Sequence, residues 1–221
     1  MPEQRSHSPL LLIVSSPSGA GKTTLTNLLR ERVEGVVFSV SHTTRKPRAN
    51  EKDGREYHFV TPEVFRRMIA EDAFLEWARV HQNFYGTSRR EVERAKDSRV
   101  VLFDVDYQGA RQIKCTAPDA VAVFILPPNM KTLEARLRGR ASEDEAAVQR
   151  RFDAAKDEIA HYGLFDYVLV NDKLETAIGQ LIAITLAEEC RRQRQAPLAE
   201  QLLTEVRGFG GSLPPPANAP A

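Results

Sequence analysis

The amino-acid sequence predicts an α/β fold in which a parallel β-sheet is flanked by helices. Short apolar runs that are typical of buried parallel strands alternate along the chain with segments of helical periodicity. A turn of small residues follows the first apolar run and leads directly into an amphipathic helix. Residues 41–90 interrupt this alternation, so we expect them to form an inserted lobe beside the sheet.

Each element is predicted from apolar spacing and from the residues that begin or end it. Core strands are expected at residues 10–14, 36–40, 100–103, 120–126 and 167–170, and strands of the lobe at 56–60 and 74–80. Helices are expected from Lys22 to Gly35, from Thr61 onward, over 108–114, from Asn129, from Ser142 toward Ile159, and over 174–194.

Composition and charge exclude several classes of protein. The 221 residues carry 31 Lys and Arg against 30 Asp and Glu, and this near-neutral balance argues against a protein that coats nucleic acid. Cys115 and Cys190 lie far apart, which argues against a disulfide framework or a zinc site and favours the cytoplasm. The apolar run at residues 10–14 is too short for a signal peptide or a membrane span. We therefore expect a cytoplasmic protein with neither nucleic acid nor membrane as a partner, and a homo-oligomer stays open.

The segment from Ser16 to Thr23 is the most specific motif in the chain. It matches the phosphate-binding pattern Gly-x-x-x-x-Gly-Lys-[Ser/Thr], except that Ser16 replaces the first glycine. Small residues let backbone N–H groups converge on phosphate oxygens at the N-terminus of a helix. Lys22 is expected to place its charge on the phosphates, and Thr23 is expected to offer its hydroxyl to Mg²⁺.

Two aspartates follow the apolar run at residues 100–103. Asp104 ends the run, and a carboxylate at the carboxyl end of a parallel strand faces the ligand crevice, where it can help to hold Mg²⁺. Asp106 points to the same side if the strand continues, although capping of the next helix is an equally good interpretation. The Asp-x-x-Gly pattern that starts at Asp106 also occurs in GTPases, but no Asn-Lys-x-Asp element follows it.

The basic segment from Ser41 to Arg48 is the second informative block. It reads Ser-His-Thr-Thr-Arg-Lys-Pro-Arg, and guanidinium groups bind phosphate oxygens in a bidentate manner. Arg45 and Arg48 therefore suit a phosphate clamp. A solvated basic loop explains the same residues equally well.

Over residues 9–190 the chain resembles the guanylate kinases. The resemblance rests on motifs in the family's order at residues 18–23, 41–48, 54–59, 74–78, 85–87, 104–109 and 170–172. It implies transfer of the ATP γ-phosphoryl group to GMP, and to dGMP, in a Mg²⁺-dependent, in-line reaction that gives ADP and GDP. A general base is not needed, because the attacking phosphate oxygen is already ionised.

The resemblance also implies a role for each matching residue. The ATP site would comprise Ser16, Pro17, Ser18, Gly19, Ala20, Gly21, Lys22, Thr23, Thr24, Arg136 and Asn171. The GMP phosphate would be held by Arg45, Arg48, Tyr57 and Tyr85, and the guanine by Ser41, Glu76, Thr87 and Asp106. Mg²⁺ would be held by Thr23 and Asp104, partly through water, and the catalytic charges would be Lys22, Arg45, Arg140 and Arg151.

The chemistry of guanine agrees with these residue types. Carboxylates accept hydrogen bonds from the N1–H and the exocyclic amine of guanine, whereas adenine places an acceptor at N1 and would repel them. For Glu76 the residues alone favour the outward face of a half-buried strand. For the basic stretch around Arg136 and Arg140, the alternative is a surface of helical ion pairs, which suits Arg138 and Arg150.

The implied organisation is one domain, at residues 9–194, between a flexible leader at 1–8 and an extension at 195–221. The core would comprise residues 9–40, 91–136 and 157–194, with a GMP-binding lobe at 41–90 and a lid at 137–156. The Gly- and Pro-rich extension is expected to be largely disordered, with a short helix over 198–206 as its one regular element.

Two other functions stay as alternatives. A non-catalytic interaction module would share this fold, but the intact Lys22 and Thr23 argue against it. A related kinase that acts on a phosphorylated sugar would have no need of Glu76 together with Ser41.

Overall fold

The computed structural model of the chain describes residues 8–48, 50–80, 82–139 and 145–208. Within these ranges the strands are β1 (Leu10–Ser15), β2 (Val36–Phe38), β3 (His42–Thr43), β4 (His58–Phe59), β5 (Phe74–Val80), β6 (Asn83–Ser88), β7 (Val100–Asp104), β8 (Val121–Leu126) and β9 (Tyr167–Val170). The helices are α1 (Lys22–Arg32), α2 (Pro62–Ala70), α3 (Arg89–Arg94), α4 (Tyr107–Thr116), α5 (Met130–Arg138), α6 (Glu145–Ala160), α7 (Leu174–Glu189) and α8 (Arg192–Gly208), with a 3₁₀ turn at Tyr162–Leu164.

The main sheet has five parallel strands in the order β2-β7-β1-β8-β9. Successive side chains of the central strand point to opposite faces, because the side-chain period of a strand is two. Leu12 and Val14 belong to the core cluster that includes Ile178 of α7, whereas Ile13 belongs to the cluster that includes Ile113 of α4. Helices therefore cover both faces of the sheet, and the α/β fold expected from the sequence is confirmed.

A second, four-stranded sheet lies within residues 41–90, in the order β4-β3-β6-β5. Its pairing is mixed, since β3 runs parallel to β4 and antiparallel to β6. The Thr61 hydroxyl accepts the N–H of Val64 and caps α2. That helix buries Phe65, whose ring stacks on those of Phe74 and Phe84 at centroid distances of 4.4 and 5.3 Å. The lobe thus has its own aromatic core.

The lobe is joined to the main sheet through β5 and α4. The Gln112 side chain accepts the backbone N–H of Trp77 at 3.1 Å and donates to its carbonyl at 2.7 Å. One glutamine on α4 therefore substitutes for a neighbouring strand at this point of β5. The contact fixes the position of β5 relative to the carboxyl end of β7.

The strands differ from the sequence expectation in three places. The strand expected at 56–60 is reduced to β4, and β3 and β6 were not predicted, because their polar residues carry no apolar alternation. β9 was expected to be buried, but Val168 and Val170 are each almost half exposed, since β9 forms one edge of the sheet.

The helices at the C-terminal end also differ from the expectation. The helix expected over 174–194 ends at Glu189, and a new helix begins at Arg192. The short helix expected over 198–206 is confirmed, with Leu198, Leu202 and Val206 at helical spacing, but it belongs to the longer helix α8, so residues 195–197, expected to be disordered, are helical as well. Residues 209–221 and the N-terminal leader up to residue 7 lie outside the described residues. In the described part of the chain, no helix is both long and apolar enough to cross a membrane.

Candidate active site

The phosphate-binding loop connects the carboxyl end of β1 to the first residue of α1. Gly19 and Gly21 have φ angles of 91° and 97°, in the left-handed region that favours glycine. Asp72 is the one non-glycine residue in the described part of the chain with a positive φ, so Ser16 needs no left-handed conformation. Serine at the position of the first glycine therefore introduces no backbone strain.

The interior of this loop is fixed by one backbone hydrogen bond within it and one from the side chain of Asn171. The Ala20 N–H donates to the Pro17 carbonyl at 3.1 Å, and the Ala20 carbonyl accepts from Nδ2 of Asn171 at 2.8 Å. A Cβ on Gly21 would lie only 2.3 Å from that Nδ2, so glycine is required there for space as well as for backbone conformation. Asn171 follows β9 directly and is placed to hold the loop.

Lys22 lies between the loop and the end of β7. Its Nζ is 2.5 Å from Oδ1 of Asp104 and donates to the carbonyl of Val105 at 3.2 Å. Thr23 and Thr24, in the first turn of α1, are exposed. Of the two sequence candidates for the metal site, Thr23 is therefore the neighbour of Lys22 in α1, and Asp104 is the ion-pair partner of Lys22 at the end of β7.

Arg136 reaches the same edge of the sheet from α5. Its Nη2 donates to the backbone carbonyl of Asn171 at 3.0 Å. Its Nη1 is buried and has no hydrogen-bond partner among the described residues. A buried donor without a partner costs free energy, which makes this nitrogen a candidate for contact with a ligand.

Two side chains of α6 meet the loop at Ser18. The Arg151 guanidinium donates to the Ser18 hydroxyl from Nε at 3.1 Å and from Nη2 at 2.6 Å. The backbone N–H of Ser18 donates to Oε2 of Glu158 at 3.1 Å. Burial raises the pKa of Glu158, while the Ser18 N–H and Lys22 act in the opposite direction. Arg140, the other arginine expected here, lies outside the described residues.

Arg45 is held by an ion pair inside the lobe. Its two terminal nitrogens each donate to one oxygen of Glu51 at 2.9 Å, and both side chains are largely buried. The backbone N–H of Arg48 donates to the same carboxylate at 2.8 Å, while the Arg48 side chain is exposed. These contacts, with Arg45 contributing most, lower the pKa of Glu51 to about 2. Glu51 thus orients the arginines of the expected phosphate clamp.

Aromatic rings pack against this guanidinium. The central carbon of Arg45 lies 5.4 Å from the ring centre of Tyr57 and 5.8 Å from that of Phe59. Tyr57 and Tyr85 meet edge to face at a centroid distance of 5.9 Å. Burial raises the pKa of Tyr57, and the charge of Asp104 raises it further. The lobe therefore brings Arg45 and both tyrosines together on the side that faces the end of β7.

Glu76 is buried on β5, directly opposite Thr87 of β6. Ala78, two residues further on, is buried on the same face, whereas a bulge between Phe74 and Glu76 turns Phe74 to the opposite face. The outward orientation that the residues alone favoured is therefore wrong. The Thr87 hydroxyl lies 3.2 Å from that of Ser41, so three of the four residues expected to read guanine are neighbours.

The burial of Glu76 has a strong effect on its ionisation. Burial raises the pKa of Glu76 to about 7, although hydrogen bonds from Thr87 oppose this, and the charge of Asp106 adds to it. A Cβ on Gly109 would lie 2.9 Å from Oε2 of Glu76, so only glycine lets α4 approach the carboxylate this closely. The structure thus explains why the last residue of the 104–109 motif is glycine, which the sequence alone did not reveal.

Asp106 caps α4, as one interpretation of the sequence proposed. Its Oδ1 accepts the backbone N–H of Gly109 at 2.9 Å. Its charge also raises the pKa of both Glu76 and Glu158. Asp106 therefore lies between the carboxylate of the lobe and the carboxylate at the phosphate-binding loop.

Sequence reasoning missed four residues that build this site. They are Glu51, Gly109, Gln112 and Glu158. The two glutamates occur in charged segments, where an acid is usually solvated, so no local pattern distinguishes them. Buried Ala78 shares the face of Glu76 and was a usable signal for its orientation, whereas Phe74 was not, because the bulge puts Phe74 on the opposite face of β5.

Comparison with known proteins identifies the family to which this arrangement belongs. The family described as guanylate kinase matches residues 8–188. The guanylate kinase of Dechloromonas aromatica is 46% identical over 198 residues, which are 87% of this chain and 98% of that protein. The guanylate kinase of Paramagnetospirillum magneticum is 47% identical over 201 residues, which are 90% and 94% of the two chains.

A solved structure supports the same assignment. The crystal structure of guanylate kinase from Anaplasma phagocytophilum matches with a TM-score of 0.74 and 32% identity, and the match covers 95% of this chain and 100% of that one. The fold and the order of the sequence motifs agree with these matches. The chain therefore belongs to the guanylate kinase family and is an ATP:GMP phosphotransferase.

Proposed function

We propose that the cleft between the phosphate-binding loop and the lobe transfers the γ-phosphoryl group of ATP in line to the phosphate of GMP or dGMP. The observation that carries this proposal is the set formed by buried Glu76, buried Thr87 and half-buried Ser41. This set offers both acceptors and hydroxyl donors, which is the complement of the guanine edge. Asp106 connects it to the loop that suits a triphosphate.

On the donor side, the loop amides and Lys22 are proposed to bind the ATP phosphates. On ATP binding, phosphate oxygens replace Asp104 as the partner of the Lys22 ammonium group. The phosphates are negatively charged like the carboxylate, and the N-terminus of α1 stabilises negative charge at this position. Arg136 has a buried Nη1 that lacks a partner in the described part of the chain, and a nucleotide can accept its hydrogen. Asn171 positions the loop and lies beside the nucleotide.

On the acceptor side, Arg45, Arg48, Tyr57 and Tyr85 are proposed to hold the GMP phosphate. Glu51 keeps the Arg45 guanidinium in one orientation through two parallel hydrogen bonds. The tyrosine hydroxyls add neutral donors, so the phosphate is bound without excess positive charge. This arrangement orients an oxygen of GMP toward the end of β7, where Asp104 lies.

The residues at the end of β7 and the start of α1 fit Mg²⁺. Thr23 and Asp104 supply a hydroxyl and a carboxylate, the hard oxygen ligands that this ion prefers, and the ion keeps several waters and takes phosphate oxygens as its remaining ligands. No cluster of three or more acidic, histidine or cysteine side chains suited to a metal occurs within the described ranges, and a nucleotide-bound Mg²⁺ does not require one. When bound, Mg²⁺ neutralises charge on the phosphates.

Catalysis then rests on position and positive charge. The transferred group spreads negative charge over its equatorial oxygens, and Lys22, Arg45, Arg140 and Arg151 are proposed to stabilise it. The GMP phosphate is ionised at neutral pH, so the protein does not have to remove a proton. Closing of the lobe and of the lid would exclude water and limit hydrolysis of ATP.

We also propose that the enzyme works in the cytoplasm. Cys115 and Cys190 are both free thiols at exposed positions, which suits a reducing compartment.

Replacement of Arg45 by Met tests the proposed acceptor site. Loss of charge-assisted hydrogen bonds worth about 1.5–3 kcal/mol should raise KM for GMP by roughly 10- to 150-fold, while KM for ATP stays within twofold. Arg55→Met is the matched control, because Arg55 is an exposed arginine of the same lobe that pairs with Glu56. An Arg45→Met enzyme with unchanged KM for GMP, or one in which KM for ATP rises instead, would contradict the assignment.

A further inference from the structure

Glu158 accepts a hydrogen bond from the backbone N–H of Ser18, a group of the phosphate-binding loop that is also placed to bind nucleotide phosphates. The Ser18 N–H donates to Oε2 of Glu158 at 3.1 Å. Ser18 lies in the middle of the loop, where backbone N–H groups converge on phosphate oxygens. One N–H cannot serve a carboxylate and a phosphate at full strength at the same time, so the two anions compete.

The helix that carries Glu158 is firmly attached to the loop on one side. Arg151 and Glu158 are two helical turns apart on one face of α6, and both contact Ser18. Val148 and Ala155 of α6 are buried in a cluster with Leu133 and Leu137 of α5. A Cβ on Gly19 would lie 3.0–3.1 Å from these leucines, so α5 packs against the loop as well. A change at Ser18 is therefore transmitted directly to the α5–α6 pair.

Glu158 has charged neighbours of both signs. Lys22 and Arg151 favour its ionised form, whereas Asp106 opposes it. A triphosphate in the loop would take over the interaction with Lys22 and would add negative charge next to Glu158. Because the Glu158 carboxylate is more than half buried, repulsion from the phosphates is only partly screened by water.

We propose that Glu158 is a positioning residue that competes with ATP phosphates for the Ser18 N–H, so that ATP binding displaces Glu158 and repositions α6. The proposal rests on the proposed binding of ATP at this loop. Displacement of Glu158 frees α6 to shift, and Arg151 moves with it from the Ser18 hydroxyl toward the phosphates. The enzyme thereby links occupation of the donor site to placement of a lid arginine.

Replacement of Glu158 by Gln separates this role from that of a structural support. Glutamine has the same shape and keeps an oxygen that accepts the Ser18 N–H, but it carries no charge. It should therefore weaken the competition while preserving the fold. Asp157→Asn is the matched control, since it removes one negative charge from the adjacent, exposed position of α6.

The measurement is titration calorimetry with a non-hydrolysable ATP analogue and with inorganic tripolyphosphate, together with steady-state kinetics. For Glu158→Gln we expect Kd for both ligands to fall about tenfold, KM for ATP to fall with it, and KM for GMP to stay unchanged. Asp157→Asn should bind as the unchanged enzyme does.

A Glu158→Gln protein that binds both ligands with equal or lower affinity would show that Glu158 only supports the loop, and would overturn the proposal. If the unchanged enzyme itself bound no ATP analogue and formed no GDP, the proposed function would fail, and this inference with it. If the unchanged enzyme is active but the Glu158→Gln variant binds the ATP analogue no more tightly, this inference is wrong and the proposed function still holds.

Discussion

Replacement of Glu76 by Gln should make the protein more stable and less able to bind GMP, with an effect on stability that depends on pH. Burial raises the pKa of Glu76 to about 7, from 4.5 in an exposed glutamate. Between these two pH values the folded protein holds a proton that the unfolded chain has released. The free energy of unfolding therefore falls as the pH rises from about 4.5 to 7, and levels off above that.

The size of the effect follows from this difference in pKa. At about 1.4 kcal/mol per pKa unit, ionised Glu76 costs the folded protein about 3 kcal/mol at pH 8, and under about 1 kcal/mol at pH 5. Glutamine does not ionise, but it can still accept the hydrogen bonds that Thr87 donates. Relative to the unchanged protein, Glu76→Gln should thus gain about 3 kcal/mol at pH 8 and about 1 kcal/mol or less at pH 5.

The assay is urea denaturation at pH 5 and pH 8 without nucleotide, combined with GMP binding by calorimetry at pH 8. Loss of a carboxylate that accepts from guanine should weaken GMP binding by at least about 30-fold, which is about 2 kcal/mol. Glu200→Gln, at an exposed position of α8, is the control and should change neither quantity. A gain in stability that is the same at both pH values would refute the idea that burial of a charged Glu76 is costly. Unchanged affinity for GMP would refute its role in reading guanine.

Two further predictions concern the phosphate-binding loop. Lys22→Ala should lower kcat by at least about 100-fold, because the positive charge that Lys22 places on the phosphates is lost, and circular dichroism should show that the protein stays folded. Lys96→Ala, which removes an exposed lysine paired with Glu93, is the control. A folded Lys22→Ala enzyme with full turnover would contradict the assignment. Gly21→Ala should lower the free energy of unfolding by more than about 1 kcal/mol and raise KM for ATP, because the new Cβ would lie 2.3 Å from Nδ2 of Asn171 and the backbone φ of 97° disfavours alanine. Gly163→Ala is the control, because a Cβ there meets no atom within 4 Å. Equal stability of the two variants would argue against this clash.

The parts of the fold that were predicted are those in which burial is continuous along the chain. β1, β7 and β8 are buried on both faces and appear in the sequence as unbroken apolar runs. β6 was missed because its residues, Asn-Phe-Tyr-Gly-Thr-Ser, are held as a strand by pairing with β3 and β5 rather than by their own pattern. The helix expected over 198–206 was correct in kind but too short, because the Gly- and Pro-rich end of the chain predicts disorder around it, whereas α8 extends from Arg192 to Gly208.

The candidate site was predictable to the extent that its chemistry lies in one segment. The residues around Lys22 carry a recognisable motif spacing, whereas the partners of Glu76 come from Ser41 just before β3, from β6 and from α4, which only the folded chain brings together. Glu51 and Glu158 illustrate the limit, because each is an ordinary acid in sequence and becomes specific only through long-range or loop contacts, Glu51 by accepting from Arg45 and from the Arg48 N–H, and Glu158 by accepting from the Ser18 N–H.

The most direct test of the central claim is a coupled assay of ADP release with ATP as the donor and a panel of acceptors. The panel comprises GMP, AMP, CMP, UMP and ribose bisphosphate, each at the same concentration. The set of Glu76, Thr87 and Ser41 predicts rapid release with GMP and at least about 100-fold slower release with every other acceptor, since a mismatched base leaves the buried polar groups of Glu76 and Thr87 unpaired. Comparable release with AMP or ribose bisphosphate, or no release with any acceptor, would contradict the account.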